Sequence, residues 1–63
     1  MSQRDMMRML FRQFSGDRAQ VIEAYAKAER RGEVERVHNT YDMSADEYAS
    51  RLFADGVKKG WIQ

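Results

Sequence analysis

Residues Met43-Ser44-Ala45-Asp46-Glu47-Tyr48 carry the densest helix-start signal in the chain. A serine followed three residues later by glutamate is a capping box: the Ser44 oxygen accepts from the Glu47 amide, and the Glu47 carboxylate can reach back to the Ser44 amide. Met43 and Tyr48 stand at the two positions of a hydrophobic staple, one before the cap and one at the fourth helical position. Beyond them Ala45, Tyr48, Ala49, Leu52, Phe53 and Val57 recur at helical spacing and predict a buried face. Glu47, Arg51, Asp55 and Lys59 alternate in sign at four-residue steps, the pattern of a solvated face. Gly56 falls inside the apolar arc, where glycine costs about 1 kcal/mol relative to alanine. A neighbour's backbone against it, or an early helix end, is therefore expected. Gly60, after Lys58 and Lys59, is the better stop, and Trp61 and Ile62 are expected to fold back over the core.

Two further helices precede this one. Over residues 3–14, Met6, Met7, Leu10, Phe11 and Phe14 share one broad face at about 100° per residue, with Met9 off its edge. Arg4, Arg8 and Arg12 line the opposite side. Ser15-Gly16-Asp17 interrupts, and Asp17 with Gln20 three residues on reads as the cap of a second helix over 18–31. Its apolar side is Val21, Ile22, Tyr25 and Ala28, widened by Ala19, Ala24 and Ala26. Glu29 falls inside that arc. Glu23 and Lys27 form an i, i+4 pair, and Gly32 suits the position just past the end. Between Gly32 and the Asn39-Thr40-Tyr41-Asp42 cluster, Val34 and Val37 sit among charges, which reads as an irregular or short extended segment over 33–42. The expectation is a single all-α domain spanning 1–63, with helices at about 3–14, 18–31 and 45–59.

Composition narrows the rest. A chain of 63 residues hides only roughly 60% of the surface it exposes when unfolded, so small folds of this size lean on disulfides, a metal or a partner. There is no cysteine and one histidine, so neither disulfides nor thiolate zinc sites are available, and no metal or cofactor is expected. Eleven basic residues face ten acidic ones. The balance is uneven along the chain: residues 1–18 hold four arginines and two aspartates, while residues 19–63 hold seven basic and eight acidic groups. Apolar runs are too short to span a bilayer, and the first residues lack the apolar stretch of a secretory signal. A cytoplasmic protein is the expectation.

No catalytic signature emerges. Ser15, Ser44 and Ser50 lack a nucleophile-elbow context, His38 stands alone, and the glycines lack phosphate-loop spacing. Asp46-Glu47 is explained by capping and the helix dipole, and Glu33 with Glu35 by solubility. A non-enzymatic interaction module is therefore expected. The first helix holds three methionines and two phenylalanines within nine residues. Flexible, polarizable methionine suits surfaces that repack against a partner. The leading expectation is a protein partner or a homodimer docked on Met6, Met7, Leu10, Phe11 and Phe14. The alternative is nucleic-acid binding by the ridge Arg4, Arg8 and Arg12, with Arg18 nearby. The third helix is a poor recognition helix because Glu47 and Asp55 repel phosphates. Attachment to a membrane surface fits the amphipathicity of the first helix but not its modest charge.

Overall fold

The helix-start signals act locally, within four residues of chain, and each produces a helix where it predicts one. A computed structural model describes residues 1–35 and 43–62. It has three helices, α1 (Gln3–Gln13), α2 (Arg18–Arg30) and α3 (Ala45–Lys59), and no strand among the described residues. The chain is thus an all-α three-helix fold. Ser44 Oγ accepts from the Glu47 amide at 3.2 Å. Asp17 accepts from the Gln20 amide and from its side-chain Nε2, both at 3.1 Å. Ser2, which no pattern singled out, caps α1 by accepting from the Asp5 amide at 3.2 Å.

All three helices end with the same pair of backbone bonds. A six-residue closure runs from Gly16 N to Phe11 O (2.9 Å), from Glu33 N to Ala28 O (3.0 Å) and from Trp61 N to Gly56 O (2.9 Å), each with a tighter bond inside it. This Schellman ending needs a left-handed residue. Gly60 supplies it after α3 at φ 77°, whereas after α1 the residue is Ser15 at φ 53°. Phe14 and Arg31 cap their helices, so α1 and α2 each stop one residue before the expected ends.

The core forms where the three apolar faces meet. Met6, Met7 and Leu10 of α1, Val21, Tyr25, Ala26 and Ala28 of α2, and Tyr48, Ala49, Leu52 and Phe53 of α3 are buried, joined by Val34 and Ile62. Helices α2 and α3 form the most extensive contact, and α1 touches α3 least. Alanines make the α2–α3 approach close: Ala26 and Ala49 are fully buried. Two sequence expectations shift by a fraction of a turn. Ile22 is half-buried and Ala19 exposed, because the α2 arc centres on Val21, Tyr25 and Ala26. Val57, expected in the core, is 53% exposed. The inward place at that level belongs to Gly56, one step of about 100° earlier.

A methyl group built on Gly56 would lie 3.5 Å from the Trp61 ring, 3.7 Å from Met7 Cγ and 3.8 Å from Ile62 Cδ1. Side chains, not a neighbour's backbone, face this glycine. Trp61 and Ile62 fold back over α3 as expected, with Ile62 buried and Trp61 half-buried. After α2, residues 31–35 leave the helix as turns, with Val34 returned to the core and the Glu35 amide donating to Met1 O at 3.0 Å. The rest of the expected irregular segment, residues 36–42 with Val37 and His38, lies outside the described residues.

These surroundings give the two α3 glycines opposite signs. Gly56→Ala meets only ordinary contacts and should raise stability by about 0.5–1 kcal/mol through helix propensity. Gly60→Ala forces a Cβ into the left-handed region and should lower it by roughly 1 kcal/mol. Urea midpoints of the two variants, at unchanged slope, check both.

Candidate functional site

The face expected to dock a protein partner is largely spent on the chain's own core. Met6, Met7 and Leu10 are buried, and Met7 sits against Gly56. Phe11 and Phe14 are half-buried at the edge of the core. Phe11 tilts toward Phe53 at a ring-centre distance of 6.3 Å and lies under Gly16. A partner reaching Met6, Met7 and Leu10 would have to open the bundle, so Phe11 and Phe14 are what this face leaves accessible.

The opposite side of α1 is open. Arg4, Arg8 and Arg12 are all exposed, and none has a carboxylate partner among the described residues. Beside this row runs a second one, and Asp5, Arg8, Met9, Arg12 and Gln13 line one shallow depression. Met9 is 43% exposed, one of three large apolar residues so placed among the described residues, with Met1 and Val57. Asp5 belongs to the first turn, where a carboxylate suits the positive end of the helix dipole. The four-residue spacing sets the arginine Cα atoms about 6 Å apart along the axis.

Elsewhere among the described residues most cations are answered, Arg18 and Lys58 excepted. Lys27 pairs with Glu23 (3.4 Å), Arg30 with Asp46 (3.8 Å), Arg31 with Glu33 (3.9 Å), Arg51 with Glu47 (3.8 Å) and Lys59 with Asp55 (2.8 Å). Each pair is solvent-exposed, so its contribution to stability is under about 1 kcal/mol. Its consequence is local neutrality. Arg18 does not extend the ridge: it donates to Ser50 Oγ at 3.4 Å and lies 5.6 Å above the Phe53 ring, tying α2 to α3. That tie joins residues 32 apart in sequence, so no spacing rule could have found it.

Among the described residues two groups have shifted proton affinities, and both shifts are structural. Asp17 is held below the usual carboxylate range, first by the Gln20 amide and then by the Gln20 side chain, as its capping role requires. The Tyr25 phenol is pushed well above its ordinary value of 10 by burial, with the neighbouring Tyr48 and Glu29 adding to the effect. Gln3 enters this polar spot in the core by donating from Nε2 to the Tyr48 hydroxyl. Tyr25 is fully buried, out of reach of any substrate. Among the described residues no three His, Asp or Glu side chains gather to hold a metal ion, and no helix is long and apolar enough to cross a membrane. Compared with known families, curated proteins and solved structures, the chain matches none.

The raised phenol gives a pH dependence of known sign. Above pH 10 the unfolded chain releases the Tyr25 proton while the folded chain keeps it, so stability falls as pH rises. The slope from this one group reaches at most about 1.4 kcal/mol per pH unit. Denaturation series from pH 9 to about 11 should be steeper for the wild type than for Tyr25→Phe; equal slopes would show that burial does not hold this proton.

Proposed function

We propose that the chain is a non-enzymatic binding module that takes a nucleic-acid backbone on the arginine face of α1. One observation carries this reading: Arg4, Arg8 and Arg12 are exposed, aligned and without a carboxylate partner among the described residues, while the basic residues of α2 and α3 mostly face carboxylates. Three aligned guanidiniums against one aspartate leave a local positive field that the near-neutral total charge conceals. Guanidinium is the group best suited to phosphate, because its planar fork presents several donors at once. The helix behind the row is held rigid by Met6, Met7 and Leu10, so the charges are positioned before any partner arrives. The α3 surface is less suited to the task, since Arg51 and Lys59 are paired with Glu47 and Asp55, and only Lys58 is left without a carboxylate among the described residues.

Binding through three phosphate contacts should weaken with salt at a logarithmic slope of roughly −2 to −3. Arg8→Glu should reduce affinity across all sequences and make that slope shallower by at least about 1. Gel retardation or fluorescence anisotropy at several salt concentrations reads both, with circular dichroism confirming unchanged helix content. Failure of the wild type to bind any DNA or RNA at low salt rules the reading out.

A further inference from the structure

The row beside the arginines says which nucleic acid fits. We infer that α1 enters the major groove of duplex B-form DNA, with Arg4, Arg8 and Arg12 on phosphates and Asp5, Met9 and Gln13 turned toward base edges. This rests on the nucleic-acid reading above and adds the form of the partner and the residues that read it.

Three observations exclude the alternatives. Proteins that hold single strands stack bases on exposed aromatic rings. The outer face of α1 consists of Arg4, Asp5, Arg8, Met9, Arg12 and Gln13, with no ring among them; Phe11 and Phe14 turn to the core edge. Duplex RNA has a major groove too deep and narrow for a helix to read, whereas that of B-form DNA, about 12 Å wide, admits one. Helix α1 is also the element least covered by the rest of the chain, since it packs mainly on α2 and touches α3 little. Its outer side is therefore left open along its length, as entry into a groove requires.

The chemistry of the second row matches the groove. An aspartate accepts from the cytosine amino group, a glutamine bonds adenine on two atoms, and an apolar side chain packs against the thymine methyl. Asp5, Met9 and Gln13 offer these three functions at successive four-residue steps. They border the same depression as Arg8 and Arg12. The eleven residues of α1 cover about 16 Å, or some five base pairs. An aspartate in this row lowers affinity for any phosphate chain, and besides suiting the helix dipole it can accept from a base donor.

The test uses the whole chain with three probes: a randomised DNA duplex pool, the same pool as single strands, and a duplex RNA of equal length. The expected result is tightest binding to duplex DNA and recovery of a preferred motif of about five base pairs. On the recovered duplex, Gln13→Ala should lose roughly tenfold in preference at one base position with the salt slope unchanged. Asp5→Ala should relax a second position while binding random DNA more tightly. Both residues are exposed, and circular dichroism reports whether the helix persists in the variants. Equal or tighter binding to single strands or RNA overturns the inference while leaving phosphate binding by the arginines intact. So does a motif unchanged in both variants. No binding to any probe removes the underlying reading as well.

Discussion

The structure depends on the burial of Tyr25 between α1 and α3. An aromatic side chain covers 150–250 Å² of surface, on the order of 4 kcal/mol or more of transfer free energy, a large share of what a chain this short can gather. Around it Val21, Ala26, Met7 and Ala49 are fully buried as well. Tyr25, Ala26, Ala49 and Met7 belong to one core shared by α1, α2 and α3. The hydroxyl sits next to Tyr48 and Glu29 at the cost of a proton affinity far from normal. Every helix contributes buried side chains to this core, so the helices stabilise one another although none is long enough to persist alone.

That arrangement decides what is left for function. Once α1 turns its Met/Phe side inward, its arginine side is left facing outward. Once α2 and α3 lie side by side, Arg30 reaches Asp46, and Arg18 reaches Ser50 and Phe53. Lys27, Arg51 and Lys59 meet carboxylates within their own helices, whereas no carboxylate among the described residues meets the α1 arginines. A nearly neutral protein can in this way carry one locally positive edge. The methionines that resembled an adaptable docking surface act as core filler at Met6 and Met7, where an unbranched side chain packs beside a glycine.

The helices were legible because their signals are short-range. Ser44 with Glu47, Asp17 with Gln20, and Gly60 after two lysines each act within a turn of chain, and the observed bonds follow them. Side-chain faces were legible to within a fraction of a turn. The error at Val57 shows the limit: periodicity identifies an apolar arc, but its centre is set by which neighbour fills the middle, and Trp61 and Ile62 fill it over Gly56. The candidate site was half legible. The alignment of Arg4, Arg8 and Arg12 is a property of one helix and could be read directly, whereas Arg18 was grouped with them by proximity in sequence and turned elsewhere.

By itself the sequence determined where the helices start and stop, which side of each is apolar, and that the basic charge gathers near residues 1–18. Those properties come from interactions between residues no more than about five apart, whose geometry a helix dictates in advance. The tertiary structure alone decided which apolar residues would remain accessible and that Arg30 would meet Asp46 and Arg18 would meet Ser50 and Phe53. Those outcomes depend on the relative placement of α1, α2 and α3, and that placement is set by the collective packing of Met7, Val21, Tyr25, Ala26 and Ala49, which no local pattern contains.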